Sequence, residues 1–388
     1  MYDLEKIRCF IYRGGTSRGL FFHSEDIPED SEKRDQMFLG LMGSPDIRQI
    51  DGLGGATTNT SKIVVISRSK EEGIDIEYDF YQVGIEKPMV DHRGMCGNLL
   101  AAAGLFAVDE KLVTAKEPST VVSIRNTNTG KRFLVKIPVK DGRSLTQGTH
   151  KIGGVPRPGA SILEEFLDPT GAVTGRLLPT GKAEENIRVE SSNYRVSIVD
   201  SSHLSVFMRM EDAGLKGIEK AFELNSRLEL IEHLEMIRGE AARLCGFVSQ
   251  ASDAQLKSPA FPRIVLVGVP SSYIALSGQK VDASEMDIRL YAVHRQRFHQ
   301  SIAVTVAICS AAAALVPGSI VSQLFKPNAK NNRIRIGHPS GVIEVGAELG
   351  ENSTEETPHV SKVIVSRTAR RLMEGTAYYP RPDWERIP

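Results

Sequence analysis

Two stretches of this 388-residue chain carry no charge on any side. Residues 97–108 read GNLLAAAGLFAV, and residues 301–321 read SIAVTVAICSAAAALVPGSIV. A helix that is apolar all round offers water no face, so protein or lipid must enclose it. The second stretch is long enough to suggest a membrane span. Pro317-Gly318 cuts it back to residues 301–316, however, and Ala, Ser, Thr and Cys stand where a lipid-facing helix favours Leu and Phe. In a chain with 25% charged residues, the expectation is two buried helices wrapped in the protein's own sheets, with no membrane partner.

The surroundings of the two stretches match. Each follows a β-type alternation, Ile74-Asp-Ile-Glu-Tyr-Asp-Phe before the first and Met286-Asp-Ile-Arg-Leu-Tyr-Ala before the second. Upstream, Ile7-Arg-Cys-Phe-Ile-Tyr, a Gly/Ser turn and Gly19-Leu-Phe-Phe parallel Arg195-Val-Ser-Ile-Val-Asp, a Ser/Ser/His turn and Ser205-Val-Phe-Met. Ser61-Lys-Ile-Val-Val-Ile-Ser likewise parallels Pro262-Arg-Ile-Val-Leu-Val-Gly. Strands follow each helix too, Arg132-Phe-Leu-Val-Lys-Ile-Pro-Val in one case and Asn332-Arg-Ile-Arg-Ile-Gly with Val342-Ile-Glu-Val in the other. The predicted class is α+β, with two equivalent halves, each a curved, mostly antiparallel sheet around one central helix. The polar, Gly/Pro-punctuated stretch 179–193 places the boundary at 187/188, with halves 1–187 and 188–372 and a tail, about 373–388, packing back on the first half. Amphipathic helices are expected at 30–41 and 226–245. Such a pair of halves leaves a cleft between them, where ligand pockets preferentially form.

Charge and cysteine usage narrow the function. Forty-eight basic residues cancel 48 acidic ones and no long run has one sign, which argues against nucleic acid as a partner. Four scattered cysteines, Cys9, Cys96, Cys245 and Cys309, fit neither a disulfide framework nor a zinc knuckle. The first residues alternate charges where a secretory signal needs an apolar run. These features predict a soluble cytoplasmic protein, with self-association left open.

Cys96 directly precedes the first buried helix. A thiol there faces unpaired amide donors and the positive dipole end, which favours the thiolate, although a free thiol is more often a plain core residue. Gly97 permits close approach of a ligand, and Asn98 can cap the helix or hold a carboxylate. Lys62 opens an apolar strand after the hydroxyl-rich run Thr57-Thr-Asn-Thr-Ser. Most lysines are simply solvated, yet one that is partly desolvated near a thiol can carry a proton. The turn Tyr12-Arg-Gly-Gly-Thr-Ser-Arg-Gly, bearing Ser17 and Arg18, suits a carboxylate, although an ordinary hairpin needs no ligand. Arg48, Arg263 at a strand start and His299 at the second helix start are weaker candidates. Gly52-Leu-Gly-Gly-Ala-Thr lacks the third glycine of a dinucleotide fingerprint, and no glycine precedes Lys62 as in a Walker loop. His294 and His299 are wrongly spaced for a zincin. Neither a metal nor another cofactor is expected.

Arg13-Gly-Gly-Thr-Ser-Arg-Gly-Leu-Phe-Phe, Gly43-Ser-Pro-Asp, Gln49-Ile-Asp-Gly-Leu-Gly-Gly-Ala, Thr60-Ser-Lys and Cys96-Gly-Asn-Leu together resemble the PrpF family of isomerases. Val199-Asp-Ser-Ser, Gly337-His-Pro-Ser-Gly and Arg367-Thr-Ala-Arg-Arg-Leu-Met-Glu-Gly extend the resemblance, in consistent order, along nearly the whole chain. It implies the diaminopimelate epimerase-like fold and a cofactor-independent shift of a double bond, or of its geometry, in small unsaturated di- and tricarboxylates such as aconitate, methylaconitate, methylitaconate or oxalomesaconate. By the same resemblance Lys62 and Cys96 are the catalytic pair. Ser17, Arg18, Arg48, Thr60, Ser61, Gly97 and Asn98, with Arg263, His299 and Ser340 from the second half, are the implied substrate contacts. Arg18 and Arg263 stand where relatives commonly have lysine, and Phe298-His-Gln-Ser-Ile-Ala departs from the family's usual second helix start. These departures leave the individual substrate open. Two rival readings are a two-base racemase or epimerase on the same fold and a non-catalytic carboxylate-binding accessory protein. The first needs a second cysteine at the later helix start, where His299-Gln-Ser-Ile stands and Cys309 lies ten residues further on.

Overall fold

A computed structural model describes residues 4–294, 296–325, 333–354 and 357–381, apart from the side chain of His294. The last seven residues of the expected tail, 382–388, lie outside that range. Two compact units emerge, one from residues up to 151 with 155–165 and the chain from 366 onward, the other from 152–154 and 166–365.

In the first unit, β1 (Leu4–Gly14) and β2 (Ser17–His23) form a hairpin. β2 then runs parallel to β3 (Lys62–Arg68), and β3 antiparallel to β4 (Ile76–Val83), which also pairs with the short β5 (Val90–Asp91). Beyond it β4 runs parallel to β6 (Ser119–Asn126), and β6 antiparallel to β7 (Arg132–Lys140). β8 (Arg143–Ser144) and β9 (Ile162–Leu167) lie beside β7. The C-terminal strand Ala369–Pro380 closes the other edge, antiparallel to β1 from Leu4↔Pro380 to Gly14↔Ala369.

Two helices cover this sheet. α1 (Ser31–Met42) starts at Asp30, whose carboxylate accepts the Lys33 amide at 2.9 Å, and stops at left-handed Gly43. Its Met37, Phe38, Leu41 and Met42 pack on Cys9, Leu20, Phe22, Ile63, Val65 and Tyr81. α2 (Gly97–Asp109) touches β1, β2, β6, β7 and the C-terminal strand, so the sheet curves around it. All its residues but Asn98 and Asp109 are buried, as its uncharged sequence requires.

The second unit repeats the plan. β10 (Glu185–Val189), β11 (Ser192–Ser201) and β12 (His203–Arg209) are successively antiparallel. β12 runs parallel to β13 (Arg263–Gly268), and a small hairpin of β14 (Tyr273–Ile274) and β15 (Lys280–Val281) follows. β16 (Ile288–His294) lies antiparallel to β13 and to β17 (Arg297–Phe298). β18 (Arg333–His338) is parallel to β16, and β19 (Gly341–Leu349) and β20 (Val360–Arg367) then pair antiparallel in turn. The chain β1-β2-β3-β4-β6-β7 and the chain β11-β12-β13-β16-β18-β19 thus share one succession: antiparallel, parallel, antiparallel, parallel, antiparallel.

Besides α3 (Ala221–Leu224), α4 (Leu228–Leu244), α5 (Ala254–Lys257) and α7 (Ile320–Leu324), this unit holds α6 (Val304–Ala314) in the place of α2. α6 is enclosed by β11, β12, β18, β19 and α7, with only Thr305 not buried. It is shorter than the uncharged run from which it comes, because the chain stays extended at Ala303. No helix among the described residues is long and apolar enough to cross a membrane.

The unit limits differ from those read off the sequence. The polar stretch 179–193 supplies β10 rather than a linker, and the chain passes to the second unit at 165/166. It returns at 366, ahead of the whole C-terminal strand, since all of that strand is needed to pair with β1.

Candidate active site

In the first unit the site grows from the ends of β2 and β3 and the start of α2. The β1–β2 turn reverses at Gly15, whose φ of +50° is left-handed. The Arg13 guanidinium holds this turn by donating to the carbonyls of Gly15 (3.0 Å) and Thr368 (2.7 Å). Asn98 grips the same turn: its Oδ1 lies 3.4 Å from the Thr16 amide and its Nδ2 donates to Thr16 Oγ1 at 3.2 Å. The approach is so close that a Cβ on Gly14 would sit 2.3 Å from the Asn98 carbonyl oxygen. Asn98 therefore spends its side chain on the hairpin rather than on capping its own helix.

Cys96 occupies the N-cap of α2, with an extended backbone. Its carbonyl accepts the Tyr78 hydroxyl at 3.0 Å, and its Sγ lies 3.8 Å from Ser17 Oγ. The thiol-bearing residue is 8% exposed. Lys62, also 8% exposed, opens β3 directly opposite Gln82 on β4. Its ammonium donates to Gln82 Oε1 at 2.6 Å and lies 5.0 Å from the centroid of the Phe80 ring. Gln82 cannot turn away, because its amide donates to the Ser61 carbonyl at 2.7 Å. Tyr78, Phe80 and Gln82 alternate along β4 and so share one face. The residue that holds the Cys96 carbonyl and the residue that holds Lys62 therefore project from the same side of the sheet. No carboxylate pairs with Lys62 among the described residues.

The loop between α1 and β3 is built on Gln49, a buried residue at φ +47°. Its side chain donates to Ser61 Oγ at 2.8 Å and accepts the Ala56 amide at 2.9 Å, while Ser61 Oγ donates to the Val83 carbonyl. Ser61 is thus fully occupied within the protein. Thr60 is half-buried, its hydroxyl 2.8 Å from that of Thr57. Arg18 reaches into this loop, with Nη2 3.5 Å from the Leu53 carbonyl. The Arg48 side chain stays exposed.

The second unit gathers a cluster of its own. Arg263 begins β13, and burial followed by the charge of Arg263 pushes the His299 imidazole below its usual pKa. His299 Nδ1 accepts the Ser301 amide at 3.0 Å, and Ser340 Oγ donates to the neighbouring Gln300 carbonyl at 2.5 Å. Arg263, His299 and Ser340 are therefore brought together. His299 is not at a helix start, because the residues between β17 and Ala303 form a loop before α6. Cys309 lies within α6, where burial pushes its thiol up to about 12 and its Sγ donates to the Val199 carbonyl. Tyr78 and Gln82 escape sequence reasoning, since tyrosine and glutamine within a strand carry no motif, and Gln49 stands in the Gln49-Ile-Asp-Gly motif without its bonding role being read from it.

The family model described as PrpF protein matches residues 4–380. The 3-methylitaconate isomerase of Eubacterium barkeri is 39% identical over 379 residues, covering 97% of this chain and 98% of that protein. A crystal structure of methylitaconate-delta-isomerase superposes with a TM-score of 0.86 at 38% identity, over 98% of this chain and 97% of the other. A hydroxyproline epimerase from Agrobacterium vitis, at 12% identity, covers 97% of this chain and 94% of its own with a TM-score of 0.54, so it shares the fold alone. The duplicated α+β architecture is thus the epimerase-like one, and the chain belongs to the PrpF family.

Proposed function

We propose that this chain is an isomerase that moves a carbon–carbon double bond, or changes its cis/trans geometry, in a small unsaturated di- or tricarboxylate, with Lys62 and Cys96 exchanging the protons. One observation carries the reading. Gln82, which holds a buried amine, and Tyr78, which holds the backbone of a buried thiol residue, project from the same side of one sheet, and neither amine nor thiol meets a carboxylate among the described residues.

The chemistry follows from the substrate class. A C–H beside one carboxylate and conjugated with an alkene is acidic, and its loss leaves a dienolate. Return of a proton to the far allylic carbon shifts the double bond, with no atom gained or lost. Rotation in the dienolate followed by return to the original carbon changes geometry instead. The developing charge is met by the amides at the start of α2 and by the Arg18 guanidinium. No step requires a group beyond the protein's own acid and base. Four unpaired cysteines suit an enzyme working in the cytoplasm.

A paired-thiol racemase needs a second cysteine poised as Cys96 is, and Cys309 is enclosed in mid-helix. The test is incubation with aconitate, methylaconitate, methylitaconate and oxalomesaconate in D₂O, followed by proton NMR. Conversion with deuterium at an allylic carbon is expected. Inversion of a stereocentre without a double-bond shift would favour the racemase. Binding with neither conversion nor exchange would favour a carboxylate-binding accessory role.

A further inference from the structure

The ladder between β1 and the C-terminal strand treats its arginines in two ways. Arg8 pairs with Glu110 at 3.1 Å and Glu374 at 2.6 Å, and Arg371 pairs with the same two carboxylates at 2.6 and 2.7 Å. Further along, half-buried Arg13 and exposed Arg370 stand directly opposite each other, and neither meets a carboxylate among the described residues. Like charges facing each other across a ladder are destabilising. Arg157, in the loop that leads from β8 to β9, brings a third guanidinium to the same place, again with no ion pair among the described residues. The three line one pocket of about 520 Å³, whose walls also include Thr146, Gln147 and Gly148 and hold no Asp or Glu.

This pocket is separate from the candidate active site. Phe10 and Tyr12 pack on Phe106 of α2, with ring centroids 5.1 and 5.9 Å apart, and Gly14 lies against Ala102. Arg13 stands between Tyr12 and Gly14, so it projects from the other face of the sheet, away from the helix that Cys96 precedes. Arg18, opposite Arg13 in the hairpin, turns to the Leu53 carbonyl and does not line the pocket. The walls are held by the backbone: His150 and Gly159 exchange amide bonds at 3.0 and 2.9 Å, and the Ala160 amide donates to the Thr146 carbonyl at 3.1 Å. Arg13 is held too, its Nη1 donating to the Gly15 and Thr368 carbonyls and lying 3.0 Å from the Thr368 hydroxyl. Its Nε and Nη2 meet no acceptor among the described residues and are not sealed from solvent.

Three guanidiniums around one concave site, in a ladder that compensates its other arginines, leave room for an anion from outside the chain. We propose that Arg13, Arg157 and Arg370 form a binding site for a small oxyanion carrying at least two negative charges. A guanidinium presents paired N–H donors that match the oxygens of a carboxylate or a phosphate. The pocket is of a size for a small molecule. Polycarboxylates and phosphorylated compounds share the required chemistry. A bound anion offsets the repulsion between Arg13 and Arg370, so occupancy also stabilises the fold. None of this depends on the double-bond shift.

The experiment is calorimetric titration of the full-length protein with sodium citrate and, separately, sodium pyrophosphate, in about 150 mM NaCl to screen loose surface attraction. Wild type should bind at least one of them. The double variant Arg157→Gln/Arg370→Gln should weaken that binding at least about tenfold, while Arg18→Gln, in the candidate active site, retains it. Tighter citrate identifies a polycarboxylate ligand, and tighter pyrophosphate a phosphorylated one. Without ligand, the double variant should unfold at a midpoint equal to or above that of wild type, since it loses a repulsion and no ion pair. A purely structural role for these arginines would instead lower that midpoint and leave anion affinity unchanged. No binding of either anion by wild type, equal affinity in the double variant, or loss in Arg18→Gln alone would overturn the proposal. If Arg370→Gln does not fold, Arg157→Gln by itself decides, through a weakening in the same direction.

Discussion

Lys62 and Gln82 face each other across one rung of the β3–β4 ladder, with the ammonium 2.6 Å from the amide oxygen. The amide is oriented by the Ser61 carbonyl, so it presents oxygen to the amine and supplies no negative charge. The amine thus meets a neutral partner, and Gln82→Glu would set a carboxylate against it as an ion pair. Turnover on a converted substrate should then fall by about 10–100-fold, measured beside wild type at one pH.

The proposed catalytic pair is tested by removal. General acid–base groups typically supply about 10²–10⁴-fold each, so Lys62→Ala and Cys96→Ser should each lower turnover by at least about 10²-fold. Both side chains can be shortened without opening the main core, and thermal midpoints should stay within about 4 °C of wild type. Near-wild-type turnover in both variants would reject the assignment of Lys62 and Cys96.

The grip of Asn98 on the hairpin sets a steric prediction. Gly14→Ala would bring a methyl group to 2.3 Å from the Asn98 carbonyl oxygen and 3.1 Å from Ala102 Cβ. Neither atom belongs to a flexible side-chain end, so the turn or the start of α2 must shift. A loss of about 1–3 kcal/mol is expected in urea unfolding, with turnover reduced because Cys96 sits at that helix start.

Glu164, completely enclosed in β9 where burial raises its pKa, links stability to pH. Its folded-state pKa of about 8 lies above the ordinary value of 4.5, so the native state holds this proton more tightly than the unfolded chain. The resulting stability is fully present below the unfolded value and is lost as pH rises through the folded one. Unfolding free energy should thus decline between about pH 4.5 and pH 8 by an amount on the order of a few kcal/mol. Glu164→Gln has no proton to lose and should show a shallower decline in denaturant titrations across that range. Parallel slopes for the two proteins would show that Glu164 does not titrate there.

The architecture was legible in advance because its cause is local. An uncharged helix needs cover on all sides, and the alternating segments around 97–108 and 301–321 say what provides it. The placement of Lys62 and Cys96 was legible for a similar reason, since each marks the start of an apolar element. His299 was misplaced relative to its helix because an uncharged run does not say which residue begins the first turn. The functions of Asn98 and Gln82 depend on partners, Thr16 and Ser61, that other strands bring to them.

By itself, then, the order of apolar and polar residues determined that two central helices exist, what wraps them, and which amine and thiol stand at element ends. The periodicity of burial acts over a few residues and is written in each segment. Only the tertiary structure decided that Glu164 replaces an apolar side chain in a buried row, or that Arg367 meets Asn98 from 269 positions away. The energy of a buried charge depends on what folding places around it, and no local pattern records those neighbours.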